Sequence, residues 1–251
     1  MASQRMFFEM PIAIGVDGCK AGWFFFRLDG PDMSFGVVES VAELLHQTSE
    51  DAFILIDIPI GLPESGESER ACDLAARKAL SPKRGSSVFS TPCREALSAA
   101  SYQDALNINR RLLGRGLTKQ TWAIAPKIRE VDRLLANDEI ARSSIREVHP
   151  EVCFWGLAGG PMEYSKKTRE GFVERMRILK LVEPRAEQMI AVAFLTHGGF
   201  EAARDDVVDA FVAAICARAA ANLQTLPEKP ETDVRGLPMA MAYLRGINAI
   251  R

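Results

Sequence analysis

The alternation of apolar and polar positions predicts strands first. Residues 12–17 form a short apolar run closing on Gly15-Val16-Asp17-Gly18. Residues 22–28 follow after a turn in which Gly18 and Gly22 are free to take positive φ, so the two runs predict a hairpin. The Asp29-Gly30-Pro31-Asp32 turn predicts a third strand over 33–39, and helical spacing of apolar residues predicts a helix over 41–47. Residues 52–58 are almost continuously apolar, the mark of a central strand buried on both faces.

Three hairpin-connected strands, a helical crossover and a buried parallel strand give the element order of a ribonuclease-H-like core. Downstream, a helix is predicted over 67–80, with Pro63 and Ser65 as start signals, then a Ser- and Pro-rich loop over 81–93. Helices over 102–113 and 125–137, separated by Gly114-Arg115-Gly116, read as an insertion over the sheet. Residues 144–149 predict a fifth strand stopped by Pro150, and helices over 171–181, 185–194 and 205–221 complete the chain. The expected architecture is therefore α/β: a ribonuclease-H-like five-stranded mixed sheet flanked by helices. Residues 1–251 are expected to form one domain with a helical insertion at about 81–140.

Composition narrows the class. A hydrophobic fraction of 47% and a charged fraction of 25% are those of a globular chain. Five scattered cysteines fit reduced thiols better than disulfides or zinc, which points to the cytoplasm. The apolar stretch at 6–10 is too short and interrupted for a signal peptide, and no run approaches the roughly 20 residues of a spanning helix. Net charge is only -2, which argues against nucleic-acid binding, but it is unevenly spread. Residues 77–133 carry twelve Lys and Arg against four Asp and Glu, so this stretch is +8 and the remainder -10. Such a segment is a solvated helical face or a phosphate-binding surface.

The candidate chemistry is acidic. Asp17 and Asp57 each close an apolar strand, and two neighbouring carboxylates at such ends invite a cation, although either alone could cap a turn. In Asp205-Asp206-Val207-Val208-Asp209, Asp206 and Asp209 are three apart, so both side chains can face one ion; Asp205 suits a cap. Glu147, His149 and Glu151 flank the fifth strand, where they would extend the acidic site, position a water, or merely bond the turn at Pro150. Lys166 and Lys167, with Arg77 and Arg84 of the basic segment, are candidates for substrate phosphate; a Lys pair in a polar loop is equally a solvated one. The glycines at 15–22 lack both the dinucleotide-binding and P-loop spacings, and no CxxC is present.

Several segments carry a family resemblance: Gly15-Val16-Asp17-Gly18-Cys19-Lys20-Ala21-Gly22-Trp23, Ile56-Asp57-Ile58-Pro59-Ile60-Gly61-Leu62-Pro63, Arg70-Ala71-Cys72-Asp73 with Ala76-Arg77, Ser87-Val88-Phe89, Glu147-Val148-His149-Pro150-Glu151, and the helix start at 205–209. In these the chain resembles the domain of unknown function 429 family of predicted ribonuclease-H-like nucleases, from about residue 12 to about residue 220. The resemblance implies that fold and a metal-dependent nuclease activity, itself a proposal by fold analogy. The Asp-x-x-Asp-Ala pattern at Asp206 and Asp209 also looks like the last acidic pair of RuvC-type resolvases. There the fourth-strand carboxylate is Glu, whereas here it is the shorter Asp57.

The expectation is a nuclease dependent on Mg²⁺ or Mn²⁺ and acting on DNA or RNA. Asp17, Asp57, Asp206 and Asp209 would hold the metal, with Asp17 bridging two ions, and Glu147 or Glu151 would be the base. Two rivals share the fold: a small-molecule phosphotransferase or nucleotide hydrolase, and a non-catalytic nucleic-acid-binding module.

Overall fold

The structure, a computed structural model, describes residues 12–49, 51–66 and 69–250. Residues 6–10 and the expected helix start at Glu67 lie outside the described residues. The strands β1 (Ala13–Cys19), β2 (Gly22–Asp29), β3 (Asp32–Val38), β4 (Phe53–Ile56) and β5 (Ile145–Glu147) form a mixed sheet in the order β3-β2-β1-β4-β5. The β1-β2 and β2-β3 pairs are antiparallel, and β1-β4 and β4-β5 are parallel. Helix α1 (Val41–His46) makes the crossover to β4, capped by Ser40, whose hydroxyl accepts from the Glu43 amide.

Helix α2 (Ala71–Leu80) precedes the expected insertion, which contains α3 (Tyr102–Leu113) and α4 (Lys119–Asn137) and is followed by α5 (Glu139–Ser144). Helix α4 begins at Lys119, six residues before the expected start, with Pro126 inside it. Thr118 caps it by accepting from the Thr121 amide, so Pro126 is an interior proline and not a start signal. The second half holds α6 (Pro150–Ala158), α7 (Arg169–Val182), α8 (Ala186–His197) and α9 (Arg204–Ala217). Helix α6 was not expected: Pro150 ends the strand pattern, yet it occupies the first turn of a helix, where its missing N–H costs nothing. A two-stranded sheet, β6 (Gln224–Leu226) with β7 (Met241–Tyr243), lies beyond α9.

Strand alternation sorts the central side chains onto two faces. Ala13 and Leu55 join the cluster containing α9, including Phe24, Phe26 and Phe211, whose rings meet edge to face. Ile14, Val16, Ile54, Ile56 and Ile145 join the opposite cluster with Ile128 and Val131 of α4. Helix α9 reaches the sheet through small residues. A Cβ on Gly15 would stand 2.0 Å from the Ala214 amide nitrogen and 2.1 Å from the Ala210 carbonyl oxygen, so only glycine permits this approach. All five cysteines are buried and unpaired. Among the described residues no helix is long and apolar enough to cross a membrane.

Candidate metal centre

Asp17, two residues beyond Gly15 on β1, points with the same parity toward α9, and so does Asp57, two residues beyond Leu55. The parallel register brings the two ends together, with Val16 opposite Ile56 and the Asp57 amide donating to the Val16 carbonyl at 2.9 Å. Asp209 enters from the second turn of α9, next to the Ala210 that packs on Gly15. One carboxylate oxygen from each of Asp17, Asp57 and Asp209 lies within 4.8 Å of the other two.

The electrostatics follow from that crowding. Burial, then the charges of Asp57 and Asp209, hold the Asp17 carboxyl well above its ordinary range. Burial and Asp209 push Asp57 up to about 7. The Asp17 carboxylate accepts from the Gly18 amide at 2.7 Å, whereas no donor among the described residues hydrogen-bonds that of Asp57. Among the described residues the cation that pairs with this cluster is Lys166, whose Nζ donates to Asp209 at 2.6 Å and lies 3.4 Å from Asp205. Burial alone would lower the Lys166 ammonium, but Asp209, Asp17 and Asp57 outweigh it and keep it charged.

The remaining candidates separate. Asp206 turns back to accept from the Ala203 amide at 2.8 Å, capping α9, and is not one of the three converging groups. Burial, followed by the neighbouring Asp205, still raises it to about 6. Glu147 has the parity of Ile145 and faces away from α9. Its oxygens accept from Arg70 at 2.8 and 2.9 Å and from the Ile60 amide at 2.7 Å. Arg70 also clasps Asp73 at 2.6 Å, so the cluster of Cys72, Asp73 and Glu147, which has ligand-like spacing, is already filled by a guanidinium. Glu151, in the first turn of α6, pairs with Arg175 through one oxygen, while its Oε2 is buried without a hydrogen-bond partner. His149 Nε2 lies 3.3 Å from the Ser87 carbonyl and Nδ1 is buried without a partner; burial lowers its pKa.

Asp17, Asp57, Asp209, Glu147, His149 and Glu151, but not Asp206, line a cavity of about 750 Å³ that also takes in Arg84, Lys127 and Lys167. Arg77 does not line it: its guanidinium pairs with Glu69 and donates to the Val88 carbonyl and Ser90 hydroxyl. The sequence motifs contain Arg70 but give no sign of its role, although Arg70 and Asp73 have the (i, i+3) spacing of a helical ion pair. Lys127, from the basic segment, and the half-exposed Phe89, from the Ser87-Val88-Phe89 motif, are further cavity residues that the sequence does not single out.

The sequence profile of the family described as "Protein of unknown function (DUF429)" matches residues 15–232. The chain belongs to the DUF429 family. No curated protein and no solved structure matches it. The DUF429 match includes all three converging aspartates and both carboxylates of the arginine-filled cluster. For a metal, the aspartate cluster fits a hard divalent cation: its donors are all carboxylate oxygens, one of them lacks any donor, and burial makes their shared negative charge unfavourable.

Proposed function

We propose that this DUF429 protein has a ribonuclease-H-like fold and is a metal-dependent phosphodiester hydrolase, with Mg²⁺ or Mn²⁺ held by Asp17, Asp57 and Asp209. The observation that carries the reading is the convergence of three carboxylates, two buried and that of Asp57 half-buried, within 4.8 Å at the wall of a cavity. The strand order β3-β2-β1-β4-β5, with two antiparallel and two parallel pairings, supports the fold assignment. When bound, such an ion supplies Lewis acidity and a water of lowered pKa.

The chain's own groups divide the remaining work. Lys167 and Arg84, both lining the cavity, provide positive charge for phosphate. Glu151 keeps one carboxylate oxygen without a donor and is the candidate to accept a proton from water; Glu147, with both oxygens held by Arg70, is not. The cavity volume favours a nucleotide-sized group, such as the end of a single strand or an extruded nucleotide, over an intact duplex. The same volume favours a second reading, hydrolysis of free nucleotides by the same aspartates.

The test is hydrolysis of single-stranded, duplex and branched oligonucleotides and of nucleoside triphosphates, without metal and with Mg²⁺ or Mn²⁺. Metal-dependent turnover lost in Asp17→Asn supports hydrolysis, and the substrate consumed separates the two readings. No turnover of any substrate in either metal contradicts both.

A further inference from the structure

Resting on the metal-dependent reading above, we infer that Lys166 is a built-in second cation and that the aspartate cluster therefore takes one divalent ion instead of two. Two observations lead there. Once ionised, as metal ligation requires, the three converging carboxylates carry three negative charges and Lys166 cancels one, leaving the charge that a single divalent ion neutralises. Neither Asp206, whose carboxylate accepts from the Ala203 amide, nor Asp205, 3.4 Å from Lys166 Nζ, is one of the three converging groups. The ions of a two-metal site stand about 3.5–4 Å apart and share a bridging carboxylate. Here Nζ, at 2.6 Å, already takes one oxygen of Asp209.

The position of Lys166 is also fixed by construction. Its loop rests on the first turns of α7, where a Cβ on Gly171 would stand 1.9 Å from the Ser165 carbonyl oxygen. That carbonyl accepts from the Thr168 hydroxyl at 3.0 Å, and the Tyr164 carbonyl accepts from Arg175 at 3.2 Å. The Glu174 carboxylate receives the Glu163 and Tyr164 amides at 2.8 and 3.0 Å. Arg175 is in turn tied to Glu151, which lines the same cavity and carries the buried unpartnered Oε2. A lysine presented from so anchored a loop is part of the site and is not a solvated surface group. Its charge would stand beside the bound ion, where negative charge grows on a phosphate oxygen during displacement.

The experiment counts Mn²⁺ ions per full-length chain by calorimetry and electron paramagnetic resonance. We expect one ion in the wild type, one in Lys166→Arg, two in Lys166→Ala and a loss of binding in Asp57→Asn. Two ions in the wild type, or one in both wild type and Lys166→Ala, overturns the role of Lys166 while leaving the metal reading intact. No ion in the wild type overturns the metal reading itself. Lys166→Met, which keeps the apolar stem, makes the same comparison if Lys166→Ala does not fold, and the wild-type count alone still separates one ion from two.

Discussion

Two clusters of buried acids line one cavity and are treated in opposite ways. Around Glu147 and Asp73 the chain supplies its own counterion, the Arg70 guanidinium, which makes four charge-assisted contacts with the two carboxylates and adds bonds to the Ile60 and Gly61 carbonyls. Around Asp17, Asp57 and Asp209 the described residues supply a single paired lysine, which hydrogen-bonds one of the three. The first arrangement is saturated and structural. The second keeps unbalanced negative charge, and burial of such charge is costly unless a cation arrives. Residue type alone does not distinguish a scaffold carboxylate from a ligand; the presence of a partner does.

The largest effect expected from breaking this contrast is on stability. Arg70→Ala strands two buried carboxylates and is expected to cost about 3–5 kcal/mol, read as a lowered urea midpoint. A loss under about 1 kcal/mol, the scale of an exposed pair, would mean that the cluster is hydrated and not saturated. Gly15→Ala comes next. Its methyl group must push α9 off β1, and overpacking of this kind costs about 1–3 kcal/mol or more. Because Asp209 rides on α9, Mn²⁺ binding should weaken in the same variant, whereas Arg70→Ala, if folded, should retain it.

Asp57→Asn is expected to act in the reverse direction on the metal-free protein. A carboxyl whose pKa is raised on folding favours the folded state at low pH, and that contribution is lost as pH rises through its folded value. With Asp57 raised to about 7 and Asp206 to about 6, the metal-free wild type should lose stability between pH 4 and pH 7. Asn cannot ionise, so the melting temperature of Asp57→Asn minus that of wild type should increase across this interval, and Mg²⁺ should shrink the difference by stabilising only the wild type. A difference that stays flat with pH would mean that Asp57 is ionised at no cost.

The smallest effect is the sharpest comparison. Asp206→Asn and Asp209→Asn change neighbouring groups on one helix turn. Because Asp206 caps α9, its replacement should cost up to about 1 kcal/mol, the usual scale of a cap, and leave Mn²⁺ affinity within a few-fold; Asp209→Asn should abolish binding. Equal losses of binding in the two variants would return Asp206 to the ligand set.

The sequence reveals much of this arrangement, for identifiable reasons. Apolar runs ending in Asp17 and Asp57 mark central strands, and the order of elements leads to the five-stranded mixed sheet. The Asp-x-x-Asp spacing leads to the start of α9 but cannot choose between Asp206 and Asp209, since that choice depends on the Ala203 amide. Glu147 is ambiguous in sequence because β5 has only three residues, and its parity emerges only from pairing with β4. Helix α6 is buried on nearly every side, so it carries no amphipathic period to read. The contacts of Arg70 with Glu147 and of Lys166 with Asp209 join segments tens of residues apart, and no local pattern encodes them.

The central claim is that Asp17, Asp57 and Asp209 together keep negative charge that a bound cation balances. Anomalous diffraction from crystals of the full chain soaked in Mn²⁺ tests it most directly. The account predicts a peak bounded by these three carboxylates and none at the Arg70 cluster; an aspartate cluster without a peak at saturating Mn²⁺ would contradict it.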